Sequence, residues 1–394
     1  MLRILKILKV QGFSYIQPPM KLQRYYLGLG SNQEHRLWHI QTAILQLNTE
    51  DVHVIGCSKV YENAALGFQG APFYNCCIAV DTSRDSSELL SLALELEQQH
   101  GRKRIQEKEG YQDRPLDIDL LLGPQTVQTA SLTLPHPRMP QRRFVLEPLE
   151  ELMRSLNDSI PLETVSKWLS DCQDNSSLTP IAYGLVCTEQ ALWNTAKTIV
   201  IEGCIGVGKT SLCKLLSERY GLTEHLEAFE SNPYLNQFYQ DPSAYALPTE
   251  LHFLADRHQA LLHLKGKQGV IADYHISKSK LFASLNLSGE DLILFNRFFE
   301  WSEQLTETPE LYVLLDAPTS VLQERIKKRS REIEKGIEVT YLERIREAYH
   351  RLHQKEDERL VIDTTEIDFV ADPQALNTVC QRITEALVEK RLRA

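Results

Sequence analysis

The run Gly203-Cys204-Ile205-Gly206-Val207-Gly208-Lys209-Thr210 constrains this chain more than any other stretch of it. Glycines at 203, 206 and 208 let the backbone turn its N–H groups around an anion, Lys209 adds a cation, and Thr210 adds an oxygen ligand for a divalent metal. Such a loop works where a strand ends and a helix begins, because the helix N-terminus then faces the phosphates. The flanks agree: 196–202 reads as a short apolar strand, and a helix is expected over 210–220 with Ser211 in its first turn. Beyond it, helical periodicity alternates with strands at 269–272 and 311–315, which predicts an α/β P-loop unit with a doubly wound parallel sheet.

A second and unrelated way of handling phosphate stands upstream. Asp117-Ile118-Asp119 lies in an apolar strand expected over 116–122, so both carboxylates leave the same face and can hold metal ions. Arg102, Lys103, Arg104, Lys108 and Arg114 precede it, and a cationic loop facing metal-holding carboxylates suits a triphosphate. Alone, Asp-x-Asp is more often a satisfied strand pair beside a solvated loop. Further strands are expected at 25–29, 52–61 and 73–81, with helices ending near Leu47 and spanning 87–100. The order βαββαβ predicts a ferredoxin-like α+β sandwich, closed by helices at 147–156 and 162–169. The division that follows is an N-terminal extension over 1–22, a first domain over 23–173, a polar linker over 174–195 and the P-loop domain over 196–394.

Charged residues make up 24% of the chain with a net charge of -10, which leaves no basic surface for a nucleic-acid backbone and points to small-molecule substrates. No apolar run approaches the roughly 18 residues of a membrane span, so no membrane partner is expected. Lys6 and Lys9 interrupt the apolar start, and no small-residue cleavage site follows it. The 8 cysteines include no C-x-x-C pair and several sit in apolar runs, which reads as reduced thiols in the cytoplasm.

Tyr26-Leu27-Gly28-Leu29-Gly30-Ser31-Asn32, Leu66-Gly67, Phe73-Tyr74-Asn75, Glu97 with Gly101-Arg102, Arg114-Pro115-Leu116-Asp117-Ile118-Asp119, Leu134-Pro135-His136-Pro137-Arg138-Met139 and Arg142-Arg143-Phe144 fall in an order that resembles hydroxymethyl-dihydropterin pyrophosphokinase. The resemblance implies ATP-dependent pyrophosphoryl transfer to 6-hydroxymethyl-7,8-dihydropterin, a step of folate biosynthesis that releases AMP. It implies Asp117 and Asp119 as Mg²⁺ ligands, and Asn75, Leu66 and the ring of Phe144 as the holders of the flat pterin. Glu97, Arg102, Arg114, His136 and Arg142 would contact ATP, with Arg104 closing over the phosphates beside Arg114 as a catalytic cation. Asn63-Ala64-Ala65 replaces the family's usual Thr-Pro, and Tyr111 replaces its mobile-loop Trp.

The second unit is similar to the deoxyribonucleoside kinases through Glu227-Ala228-Phe229-Glu230-Ser231-Asn232-Pro233-Tyr234-Leu235, Phe238-Tyr239-Gln240-Asp241-Pro242, Phe253-Leu254-Ala255-Asp256-Arg257, Asp273-Tyr274 with Lys278, and the basic run from Arg325 to Glu334. The resemblance implies 5′-phosphorylation of a deoxynucleoside by Mg²⁺-ATP. Glu227 would be the general base, Tyr239 and Glu334 would hold the 3′-hydroxyl, and Arg257 would lie at the nucleoside. Lys209, Arg325, Arg329 and Arg331 would gather the charge of the transferring phosphoryl, Arg329 catalytically, with Thr210 on Mg²⁺. Asp273-Tyr274-His275 replaces an Asp/Glu-Arg-Ser triplet, so Lys278 supplies the missing cation, and Glu250 replaces a base-reading Gln. An ionised Glu only accepts hydrogen bonds and favours guanine; otherwise it pairs with Arg257, seven positions on along the same helix. The expectation is a bifunctional enzyme, with a homodimer through the kinase domain left open. The alternative for the second unit is a nucleoside monophosphate kinase or a catalytically silent binding or assembly module.

Overall fold

The protein is described here by a computed structural model over residues 22–102, 112–331, 337–352 and 359–393. Arg104 and Glu334, both expected at the sites, lie outside the described residues. The chain divides into two compact units between Leu185 and Val186.

The first unit runs β1 (Gln23–Ser31), α1 (Arg36–Leu47), β2 (Val52–Cys57), β3 (Tyr61–Asn63), β4 (Phe73–Thr82), α2 (Ser86–Gln99), β5 (Asp117–Leu122), β6 (Val127–Gln128), β7 (Thr133–Leu134), α3 (Arg143–Ser155), α4 (Ser159–Asp171) and β8 (Thr179–Pro180). β1 pairs antiparallel with β4 along its whole length and with β5 on its other side. β2 and β3 both pair with β4, giving the strand succession of the ferredoxin-like split unit. Tyr26, Cys77, Ala79 and Leu121 pack on α3 and α4, while the alternating Leu27, Leu29, Ile78 and Val80 are buried as well, so both sheet faces are covered. Asp85 caps α2, accepting from Ser87 N at 2.8 Å and Glu88 N at 2.9 Å, and the Glu88 side chain returns a bond to Asp85 N.

The single strand expected over 52–61 is two. The β2–β4 register shifts between Val54 and Gly56, and Ser58 then occupies the ladder with its side chain, Oγ accepting from Cys77 N at 2.9 Å. The chain restarts as β3 opposite the first residues of β4. Within 174–195, expected as a linker, β8 pairs with β3, and Glu189–Thr195 forms the first helix of the second unit.

That unit runs α5 (Glu189–Thr195), β9 (Thr198–Gly203), α6 (Lys209–Tyr220), β10 (Thr223–His225), α7 (Leu235–Gln240), α8 (Pro242–Leu262), β11 (Val270–Ala272), α9 (Ser277–Asn286), α10 (Gly289–Glu303), β12 (Leu311–Asp316), α11 (Thr319–Arg329), α12 (Val339–Leu352), β13 (Arg359–Asp363) and α13 (Pro373–Arg393). Its sheet is parallel, ordered β10-β11-β9-β12-β13, so the P-loop leaves the C-terminal end of the central strand. The two edge strands had no sequence signal. β10 is Thr-Glu-His, and β13 is short and bounded by charge.

Candidate active sites

In the first unit, β5 presents Asp117 and Asp119 to a cavity that is also lined by Asn63, Leu66, Phe68, Phe73, Asn75, Arg114, Arg142 and Phe144. Asp117 accepts from Arg102 and, at 2.8 Å, from Arg114. Burial, and then the Asp117 carboxylate, push Asp119 up to about 6. Two carboxylates that repel one another on one strand face are a donor set a divalent cation would relieve, so the residues fit Mg²⁺. Glu97 is only 2% exposed. Its Oε1 accepts from Ile118 N at 2.8 Å and from Arg102, so it acts on the site by fixing β5 and that arginine. His136 is half-buried, and burial followed by Arg142 and Arg138 lowers it to about 4, leaving a neutral imidazole. Leu66 stands exposed at the cavity mouth, and Arg142 lies 5.7 Å from the Phe144 ring.

Sequence reasoning missed two asparagines. Asn75 Nδ2 donates to Asn63 Oδ1 at 2.5 Å, so the residue that departs from the family's Thr-Pro holds the expected pterin-reading amide. Gly30 leaves room for that amide, since a Cβ there would meet Asn75 Oδ1 at 2.8 Å. Asn32 takes Arg114 N at 2.8 Å and donates to Ala71 O and to Asp113, tying the end of β1 to the loop carrying Arg114. Period-two patterning finds strand carboxylates; it carries no signal for an amide whose work is to join loops.

In the second unit the glycine loop has the expected geometry. Gly203 has φ of 142°, and a Cβ there would lie 2.4 Å from Leu315 O, so no other residue fits. Lys209 Nζ donates to Gly203 O at 2.8 Å and Cys204 O at 3.1 Å, while burial and then Lys278 lower its pKa. Thr210 Oγ1 donates to Asp273 Oδ2 at 2.5 Å. A hydroxyl beside a carboxylate at the end of a phosphate loop is again a set that fits Mg²⁺, and Asp273 was not among the expected ligands. Gly206, Lys209, Thr210, Glu227, Tyr239, Glu250, Arg257, Arg329 and Arg331 line one cavity. Arg325 instead clamps Thr364, at 2.9 Å to Oγ1 and 2.6 Å to the carbonyl.

Glu227 sits in a cationic grip. Arg257 Nε donates to its Oε1 at 2.8 Å and Lys278 Nζ to its Oε2 at 2.5 Å. Burial opposes ionisation, but the charges of Arg257 and Lys278 outweigh it and hold Glu227 down to about 2. Lys278 thus stands where a substitute cation was expected. The alternative pairing of Glu250 with Arg257 is not made, because Arg257 binds Glu227 and Ser279 instead. Glu250 Oε1 accepts from Asn286 at 2.7 Å, and its buried Oε2 has no hydrogen-bond partner among the described residues.

Two phosphate-handling centres, each beside a cavity with an aromatic wall, define a pair of transferases in one chain. The family model for 7,8-dihydro-6-hydroxymethylpterin-pyrophosphokinase matches residues 26–154, and that for deoxynucleoside kinase matches 199–389. 2-amino-4-hydroxy-6-hydroxymethyldihydropteridine pyrophosphokinase of Synechocystis is 33% identical over 169 residues, 42% of this chain and 85% of its own. Deoxyguanosine kinase of Bacillus subtilis is 34% identical over 206 residues, 50% of this chain and 100% of its own. A solved structure of deoxyadenosine kinase from M. mycoides with bound dATP covers 48% of this chain and 98% of its own at 22% identity, with a TM-score of 0.43. The chain belongs to both families, a pterin pyrophosphokinase unit followed by a deoxynucleoside kinase unit.

Proposed function

We propose that the two units, divided between Leu185 and Val186, are independent enzymatic domains, the first pyrophosphorylating 6-hydroxymethyl-7,8-dihydropterin and the second phosphorylating the 5′-hydroxyl of a deoxynucleoside, with deoxyguanosine preferred. ATP is the co-substrate of both. In the first, the pterin hydroxymethyl oxygen loses its proton to solvent and bonds to the β-phosphorus as the bond from that phosphorus to the α–β bridging oxygen breaks and AMP leaves. Asn75 and Phe144 orient the pterin there, Arg102, Arg114 and Arg142 hold the phosphates, and Asp117 and Asp119 hold Mg²⁺. In the second, the 5′-oxygen bonds to the γ-phosphorus, its proton passes to Glu227, and ADP leaves. Glu227 is too weak a base to remove that proton early, which suits a loose transition state in which the hydroxyl needs aiming more than activating. Lys209, Arg329 and Arg331 meet the spreading charge, while Thr210 and Asp273 hold Mg²⁺. In both sites the bound metal supplies charge neutralisation.

The observation that carries the nucleoside choice is the buried, unpartnered Oε2 of Glu250, a residue that lines the cavity, since a buried acceptor without a donor is costly unless a ligand provides one. The adjacent N1–H and N2–H₂ donors of guanine meet an ionised carboxylate; adenine's donor-plus-acceptor edge meets Gln or a protonated Glu. Burial raises Glu250 to about 7. Preference for deoxyguanosine over deoxyadenosine is therefore expected to grow as pH rises through neutrality, where the charged form takes over. Glu250→Gln should remove that pH dependence and shift the kcat/KM ratio toward deoxyadenosine by roughly tenfold. An unchanged ratio in the variant would rule out direct readout.

We also infer a homodimer through the kinase unit, in a cytoplasmic setting. α10 exposes Ile293, Leu294, Phe298 and Trp301 on one side, with Trp301 61% and Ile293 56% exposed, and Leu305 continues the stripe. Sedimentation should give a dimer for the wild type and a monomer for Trp301→Glu. A monomeric wild type would contradict this.

A further inference from the structure

Glu250 has two oxygens, and the direction of its hydrogen bonds decides which one a base meets. Asn286, the last residue of α9, donates from Nδ2 to Glu250 Oε1 at 2.7 Å, and Tyr341, in the first turn of α12, donates its hydroxyl to Asn286 Oδ1 at 3.1 Å. The two contacts use opposite ends of one amide. A flipped amide would set its oxygen against the Glu250 carboxylate, so the carboxylate selects the orientation that presents Oδ1 to the tyrosine O–H. All three side chains line the cavity that holds the P-loop lysine.

Resting on the base-reading role of Glu250 above, we propose that Asn286 and Tyr341 form a relay that fixes the orientation of the Glu250 carboxyl, and that these two positioning residues thereby set the choice between guanine and adenine. Oε1 is an acceptor in this arrangement because the amide N–H faces it. Any proton on Glu250 therefore resides on Oε2, the unpartnered oxygen, and a single atom changes from acceptor to donor as the group is protonated. Without the relay the carboxyl can rotate, and either oxygen can meet either base edge. The charged groups acting on Glu250 are Arg257 from α8, Lys278 from α9 and Glu227 from the segment after β10. None of them hydrogen-bonds the carboxyl, so the amide is the directional element.

The test uses the full chain and compares kcat/KM for deoxyguanosine and deoxyadenosine, on both sides of neutral pH, in wild type, Tyr341→Phe, Asn286→Leu and Glu250→Gln. Tyr341→Phe keeps the ring and removes only the donor, so it stands if Asn286→Leu does not fold. Each relay variant should lower the guanine-to-adenine ratio about 3- to 10-fold, the worth of one hydrogen bond, and displace the pH at which that ratio changes. In the Glu250→Gln background the same substitutions should leave the ratio where it was. Equal losses for both nucleosides, with the ratio and its pH profile intact, would overturn the relay. If Glu250→Gln itself moves nothing, the base-reading role fails; if it moves the ratio while the relay variants do not, only the relay fails.

Discussion

Asp117→Ala is expected to abolish AMP formation from ATP and hydroxymethyl-dihydropterin while ADP formation with a deoxynucleoside continues at the wild-type rate. Asp117 does two things at its site. It is one of two carboxylates on the same face of β5, and it is the anion on which Arg102 and Arg114 converge. Removing it takes away one of the two carboxylates proposed to hold Mg²⁺ and releases both arginines from their positions, so the loss should exceed roughly 10²-fold. Asp119 cannot compensate alone. Measuring both nucleotide products from one preparation checks the result, and equal loss of the two activities would mean that the sites are not separate.

Lys209→Ala should produce the opposite pattern. The lysine is held at the P-loop by the carbonyls of Gly203 and Cys204, a polar but uncharged cradle from which the ammonium can turn to phosphate oxygens. Its loss removes charge stabilisation of about 3 kcal/mol or more, roughly 10²-fold in the rate of ADP formation, with pterin-dependent AMP formation intact. Thermal unfolding of the variant should stay near the wild type, because the cost of desolvating a buried lysine offsets most of what its bonds to the carbonyls contribute. A variant with full kinase activity would remove the P-loop from the mechanism.

What the sequence disclosed divides along physical lines. The glycine loop was legible because positive φ and close backbone approach admit one residue type, as the 2.4 Å gap at Gly203 illustrates. The Asp117–Asp119 pair was legible because strands alternate faces. The grip on Glu227 was only half legible, since Arg257 and Lys278 lie 30 and 51 positions away and only the fold brings both to one carboxylate. Glu250 shows the same limit from the other side: helix spacing suggested Arg257 as its partner, yet that arginine turns to Glu227 and an asparagine at the end of another helix takes its place. The pairing of Asp273 with Thr210 escaped notice because it crosses from the loop after β9 to the end of the neighbouring β11. The break between β2 and β3 was hidden by an apolar run that reads equally well as one strand.

One chain carries two different phosphate-transfer reactions at two sites. The most direct measurement is the nucleotide released from ATP by the intact protein, offered in turn hydroxymethyl-dihydropterin, deoxyguanosine, deoxyadenosine and deoxycytidine. AMP should appear with the pterin alone, and ADP with the deoxynucleosides, deoxyguanosine foremost. AMP absent with the pterin, or ADP absent with every nucleoside, would contradict it.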